Sequence, residues 1–169
     1  QINLAAGSSV NADRTDAGSG AVGLFINYGE ANIASGAKVN VEKSGLNDAN
    51  AKAVGVYAVN GSKVDNKGTI EAGGKESVGV LAMAYGESGG VTQKDQFGGK
   101  SGEGTFSVTN SGKITMSDDD AIGVYAKNNN TSVASDDYKV TNTGTIEVKK
   151  SVSKTAIGIY ADKSTVLPK

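Results

Sequence analysis

The 169-residue chain has no cysteine, no histidine and no tryptophan, and it has only one proline. Without cysteine it cannot form a disulfide framework or a thiolate metal site. Without histidine it cannot form a Ser-His-Asp triad from its own residues, although Gly86 to Gly90 match the G-x-S-x-G spacing of a nucleophile elbow. We therefore expect neither class of site.

The chain also has no excess of either charge and no long apolar run. Seventeen basic residues face eighteen acidic ones, and the lysines are spread along the chain, so we expect no nucleic-acid partner. No apolar run approaches the roughly 18 residues that a transmembrane helix needs. Because the chain starts with Gln1 and no signal peptide is visible, we expect an internal fragment of a longer surface protein.

Two short motifs recur instead. The first, called the AVGVYA motif after residues 53–58, has Val, Ile or Leu in its second and fourth places and Gly in its third. Its five copies begin at Ala21, Ala53, Ser77, Ala121 and Ala156. The second, called the VxNxGxI motif, precedes each copy and has apolar residues in its first, seventh and ninth places. It begins at Val64, Val108 and Val140, and in weaker form at Leu4 and Ile33.

The motifs predict strands rather than helices. Neither shows apolar spacing of three and four, and Gly within a helix would cost about 1 kcal/mol. The VxNxGxI motif supplies two short strands around an Asn-Gly corner, since both residues tolerate positive φ, and the AVGVYA motif supplies a third. We expect an all-β parallel β-helix of about five coils in one domain over residues 1–169. An antiparallel meander is the alternative.

The intervals between motifs locate insertions. The shortest interval, from Ala53 to Ser77, is 24 residues, and we interpret it as a coil without decoration. Longer intervals predict insertion loops near residues 85–104 and 127–137, both on one corner of adjacent coils. Smaller loops are expected near 13–20 and 44–52, on another corner.

Strict alternation along the AVGVYA motif predicts which side chains are internal. The second and fourth places should be buried: Val54, Val56, Val78, Val80, Ile122, Val124, Ile157 and Ile159, with Ile70, Ile114 and Ile146 as a second wall. The fifth places should form an outward ladder, with each glycine on the same outer face: Phe25, Tyr57, Leu81, Tyr125 and Tyr160. The ladder either locks neighbouring coils or docks a sugar or protein. Asn66, Asn110 and Asn142 should stack as a structural ladder.

The remaining motifs give weaker evidence for a binding or catalytic site. Gly18 to Gly23 match G-x-G-x-x-G, but a strand follows where a dinucleotide site needs a helix. Asp118 to Asp120 and Asp136 to Asp137 are acidic turns, for which solvation, Ca²⁺ binding or hydrolysis are the alternatives. We predict no catalytic, cofactor-binding or metal-binding residue. The candidate partner contacts, on the two long insertions, are Tyr85, Lys94, Asp95, Gln96, Phe97, Asn128, Asn129, Asn130 and Tyr138.

The paired motifs resemble the passenger-domain repeats of type V autotransporters, especially the large fusobacterial adhesins. The resemblance is clear over residues 53–82 and 108–161, and weaker before residue 53, where Ser35 and Ala6 replace Asn66. It implies a right-handed β-helix stalk on the outer surface of a Gram-negative cell, attached through a C-terminal membrane barrel that this fragment lacks. The implied partners are host or bacterial surface proteins or glycans, without catalysis.

A polysaccharide-processing β-helix enzyme and a purely structural spacer are the alternatives to the adhesive stalk. An enzyme would show acidic residues from adjacent coils converging in a groove. Because the end coils expose unpaired strand edges, end-to-end self-association is also expected.

Overall fold

The computed structural model describes residues 1–14, 20–43, 53–84, 87–88, 91–92, 106–128, 138–149 and 154–162. These residues form three parallel sheets of five strands each, and every repeat contributes one strand to each sheet. The protein is therefore the predicted parallel β-helix, with five coils of three strands. No helix in the described part of the chain has the length and apolar character to span a membrane.

The chain visits the three sheets in the same order in every coil. Sheet A contains β1 (Ile2–Leu4), β4 (Glu30–Ile33), β7 (Lys63–Asn66), β12 (Phe106–Asn110) and β15 (Tyr138–Asn142). Sheet B contains β2 (Ser9–Arg14), β5 (Lys38–Lys43), β8 (Thr69–Ala72), β13 (Lys113–Met116) and β16 (Thr145–Val148). Sheet C contains β3 (Ala21–Asn27), β6 (Ala53–Val59), β9 (Val78–Ala84), β14 (Ile122–Asn128) and β17 (Ile157–Asp162). Between β9 and β12, β10 (Glu87–Ser88) pairs antiparallel with β11 (Val91–Thr92).

Parallel stacking places similar residues of successive coils next to one another. In sheet B, Val39, Ile70 and Ile114 pair in register and are 0% exposed. Ile146, in the last coil, continues this column and is partly buried. The predicted second wall is therefore confirmed, with its last member less covered because it lies in an end coil.

The prediction for the AVGVYA motif is confirmed at the fourth place of three coils, and it is wrong at the second place and at Ile159, the fourth-place residue of the last coil. Val56, Val80 and Val124 are 0% exposed. Four second-place residues are only half-buried, and Ile159 in the last coil is 43% exposed. The half-buried residues are Val54, Val78, Ile122 and Ile157. The sixth place is the internal partner of the fourth, since Ala58 and Ala82 are 0% exposed.

The motif glycine faces the core, so the prediction that it lies on the outer face is wrong. A side-chain carbon added at Gly55 would lie 2.5 Å from Ile70 Cγ2 and 2.5 Å from the Gly79 carbonyl oxygen. The paired register also skips this place, running from Val54 to Val56. Strict alternation therefore breaks at the glycine, which is needed because sheet C approaches the side chains of sheet B there.

The asparagine ladder is present at the corner between sheets A and B. Asn66 Nδ2 donates to Asn110 Oδ1 at 2.7 Å, and Asn110 Nδ2 donates to Asn142 Oδ1 at 2.7 Å. Asn66 and Asn110 are 1% exposed, which makes this a buried and directional chain of amide hydrogen bonds.

Two details of this corner differ from the sequence prediction. The residues in register with Asn66 in the first two coils are Ile33 and Leu4, not Ser35 and Ala6. The backbone of Gly68 is not in the left-handed conformation, with positive φ, that the predicted Asn-Gly corner would use. Its added side-chain carbon would lie 2.6 Å from the Ala34 carbonyl oxygen, so close stacking of coils is what requires glycine there.

Candidate functional site

The corner between sheets C and A is where the coils differ most in length. From β6 to β7 the chain turns with three residues, Asn60–Ser62, whereas residues 85–105 connect β9 to β12 and residues 129–137 connect β14 to β15. Both long connections therefore leave the same corner of consecutive coils, as predicted. The second insertion starts later than expected, because β14 extends through Asn128.

The short version of this corner is held by a buried serine. Asn60 and Gly61 have φ of 51° and 77°, which reverses the chain within two residues. Ser62 is 0% exposed, and its hydroxyl lies 3.1 Å from the Ile26 carbonyl oxygen and also contacts that of Val59. This side chain therefore links the turn to β3 of a neighbouring coil, while the Val59 carbonyl oxygen also accepts from Tyr28 N at 3.4 Å.

The long version replaces that serine with an aromatic residue. Because Ser107 and Lys139 are in register with Lys63, the preceding residues Phe106 and Tyr138 occupy the place of Ser62. Their rings meet edge to face with centroids 5.3 Å apart, and Phe106 is 3% exposed. Each insertion thus returns to the rod through one member of a packed aromatic pair.

The predicted partner contacts separate into two groups. Asn128 and Tyr138 are described: Asn128 is 1% exposed at the end of β14, and Tyr138 is half-buried against Phe106. Burial of Asn128 does not fit an exposed contact, because the strand continues to this residue and turns it inward beside buried Ala84. Seven predicted contacts lie outside the described residues: Tyr85, Lys94, Asp95, Gln96, Phe97, Asn129 and Asn130.

The fifth-place residues of the AVGVYA motif form one in-register column on sheet C, beside the decorated corner. The column runs through Phe25, Tyr57, Leu81, Tyr125 and Tyr160. Phe25 and Tyr57 meet edge to face at 5.5 Å, and Tyr125 and Tyr160 stack at 5.0 Å. Exposure ranges from 6% at Tyr57 to 39% at Tyr160, so most of the aromatic area is covered.

The acidic turn at Asp118 to Asp120 connects coils. Asp118 Oδ2 accepts from Gly74 N at 2.6 Å in the preceding coil, and Asp120 Oδ1 accepts from Thr155 N at 3.1 Å in the following one. This role of the acids was not predicted, because it depends on which turns of neighbouring coils lie next to each other. Among the described residues, no group of three or more His, Cys, Asp or Glu side chains is arranged to hold a metal ion.

Comparison with known proteins gives no relative. No protein-family model matches the chain, and no curated protein or solved structure matches it.

Proposed function

We propose that this chain is a segment of an adhesive stalk on the surface of a Gram-negative bacterium, which presents two insertions to a host or bacterial surface partner. The rod supplies length, because each coil bonds to the next through its backbone and further coils extend the same lattice. The insertions supply the contact surface, because loops carried by a rigid scaffold are where recognition usually occurs.

The observation that carries this proposal is the asymmetry of the corner between sheets C and A. Residues 85–105 and 129–137 leave this corner on consecutive coils, while residues 60–62 make the same connection in only three residues. A spacer has no need for long connections at one height and on one side. Residues 44–52 make a connection as long as residues 129–137 on another corner, but only the corner between sheets C and A carries long connections on consecutive coils, which favours a localised contact surface there.

The enzyme alternative is less well supported. Converging carboxylates from adjacent coils would favour it, but the carboxylates of Asp118 and Asp120 accept hydrogen bonds from backbone amides of neighbouring coils. Their geometry is that of connections between coils, so we retain the adhesive stalk as the proposed function.

The short connection at residues 60–62 can replace the two long connections, which tests whether they are needed for adhesion. In the full-length parent protein, residues 84–106 and residues 128–138 are each replaced by the Asn60–Ser62 tripeptide, which makes the same connection between coils 2 and 3. We expect adhesion of the cells to epithelial cells or partner bacteria to fall at least tenfold. The purified chain should still unfold cooperatively, since the stacked sheets remain, with a lower melting temperature because the buried Phe106 and its partner Tyr138 are replaced together with the loops.

A matched control shortens a different corner. Residues 44–52, between β5 and β6, are replaced by Lys75-Glu76, which lies at the equivalent place between β8 and β9. This variant should keep full adhesion. Unchanged adhesion in the double replacement, with the protein present at the cell surface, would reject the proposal, as would an equal loss in the control.

A further inference from the structure

The outer face of sheet A carries a polar trough that the insertions do not explain. Two cavities, of about 380 and 370 Å³, lie side by side on this face and share Asn32, Asp65 and Lys67 as lining residues. The first extends to Thr109 in coil 4, and the second extends to Asn3 in coil 1. Together they cross four consecutive coils along the rod.

The trough contains balanced charge and both donors and acceptors. Lys67 Nζ lies 3.0 Å from Asp65 Oδ2, and Lys63 Nζ lies 3.5 Å from Glu30 Oε1. These side chains are 36% to 65% exposed, so the ion pairs are weak and can exchange partners with a ligand at small cost. Asn32 and Thr109 add an amide and a hydroxyl beside them.

These groups define the ligand by its chemistry. Equal numbers of cations and anions do not favour a phosphate polymer, which needs an excess of basic residues. A β-strand of another protein pairs with a sheet edge, whereas this trough lies on the face of β4, β7 and β12, whose edges bond to neighbouring coils. Hydroxyl-rich neutral ligands match a surface of mixed donors and acceptors.

The period of the trough adds a length requirement. Asn32, Asp65 and Thr109 are in register, one from each coil, and successive parallel strands are about 4.8 Å apart. That step is close to the length of one pyranose unit in an extended polysaccharide. A linear glycan lying along the rod would therefore meet one polar side chain of this column per sugar.

We propose that the outer face of sheet A binds a neutral linear polysaccharide in this trough, parallel to the rod axis. This site goes beyond the proposed function, because it lies on the rod itself and does not use the insertions. It needs no catalysis: the polymer is held by hydrogen bonds from successive coils.

The test titrates the full chain with cellohexaose, chitohexaose and maltohexaose by calorimetry. We expect at least one hexasaccharide to bind, with its trisaccharide at least tenfold weaker because it spans fewer coils. The double variant D65A/K67A should weaken hexasaccharide binding at least tenfold. T109V, which removes a hydroxyl one coil away, should weaken it about threefold, roughly the effect of losing one weak hydrogen bond.

The matched control is K38A/E71A, which removes an ion pair of 2.7 Å with similar exposure from the outer face of sheet B. It should bind the hexasaccharide as the unchanged chain does. Absence of binding by all three hexasaccharides, equal losses in the two double variants, or binding only to a charged polymer such as polygalacturonate would overturn the proposal. Replacing the insertions with the short corner should leave this binding unchanged, so this test and the adhesion test fail independently.

Discussion

The first two coils and the last three use different turns at the corner between sheets A and B. In coils 1 and 2 the strand of sheet A ends with an inward apolar residue, Leu4 or Ile33, and four residues follow before sheet B resumes. In coils 3 to 5 it ends with asparagine, and only two residues follow. These asparagines are Asn66, Asn110 and Asn142.

The difference lies in where the turn amides find partners. In coil 2, Ala37 N donates to Ala34 O at 2.9 Å, and Gly36, with φ of 82°, reverses the chain, so the turn closes on itself. In coil 4, Ser111 N and Gly112 N both donate to Asn66 O, at 2.8 and 3.0 Å, in the preceding coil. The four-residue turn thus adds an internal hydrogen bond to its bonds between coils, such as Ala34 N to Leu4 O at 3.0 Å, whereas both amides of the two-residue turn in coil 4 bond to the preceding coil.

The apolar column of the first two coils meets the asparagine ladder between Ile33 and Asn66. Asn66 and Asn110 each donate to the asparagine of the following coil, so Asn66 Oδ1 would need a donor from coil 2, where Ile33 lies instead. Asn66 Oδ1 is buried without a hydrogen-bond partner. The ladder therefore begins at a cost, which an amide donor placed in coil 2 should reduce.

The largest expected effect concerns a feature that both halves share. Gly23→Ala and Gly79→Ala should each destabilise the protein by about 3 kcal/mol or more, because the new methyl group would lie 2.5 to 2.6 Å from carbonyl and core side-chain atoms. Gly158→Ala is the matched control, since nothing lies within 4 Å of its added carbon. Urea unfolding measures all three, and equal stability of G79A and G158A would disprove the core-facing glycine.

The ladder should be most sensitive at its centre. Asn110→Leu keeps the branched shape of the side chain but leaves Asn66 Nδ2 and Asn142 Oδ1 without their 2.7 Å partners, and we expect a loss of about 2 kcal/mol. Asn142→Leu, at the exposed end, removes only the acceptor of Asn110 Nδ2 and should cost less, about 1 kcal/mol. Chemical denaturation of the two variants gives the comparison, and similar losses would mean that the amide ladder does not stabilise the corner.

The junction itself can be tested by extending the ladder. Ile33→Asn loses apolar burial but offers a donor to Asn66 Oδ1, so its cost should be smaller with Asn66 present than in an Asn66→Leu background. We expect a favourable coupling of about 1 kcal/mol in the double-mutant cycle. A coupling of zero would show that the unpaired oxygen does not limit the ladder.

The smallest effect concerns the acidic turn of the last three coils. Asp118→Ala removes the 2.6 Å acceptor of Gly74 N at an exposed site and should cost about 0.5 kcal/mol. Asp118→Asn, which keeps an acceptor oxygen, should cost less. Thermal unfolding of the pair provides the measurement, and equal losses in D118N and D118A would indicate a role for charge rather than for the hydrogen bond.

Much of the fold could be predicted from the recurrence of similar residues. The repeated Val and Ile of both motifs predicted three strands per coil, and the spacing from Ala53 to Ser77 identified the undecorated coil. The pattern could not give the strand register at Gly55, because its core-facing place depends on contacts with sheet B. Alternation alone therefore assigned the second place to the core.

The corner of the first two coils was misaligned for a related reason. Ile33 matched the apolar first place of the VxNxGxI motif, yet it pairs with Asn66, because the turn that follows it is two residues longer. A difference in turn length is invisible to a motif aligned on its apolar places. The aromatic pair Phe106 and Tyr138 was missed as well, since only the register shows that both replace Ser62.

Coils of unequal length stack in one register, and the asparagine ladder, the corner with the two insertions and the trough all depend on this. Cross-linking measures the register directly. The chain has no cysteine, so introduced pairs report without background. Asp65→Cys with Thr109→Cys, and Thr109→Cys with Thr141→Cys, join residues in register on adjacent strands, about 4.8 Å apart and within disulfide range. Both pairs should oxidise readily in the folded protein, whereas Asp65→Cys with Thr141→Cys, two coils apart, should stay reduced. Disulfide formation by that last pair, or its failure in the first two, would contradict the stacked register.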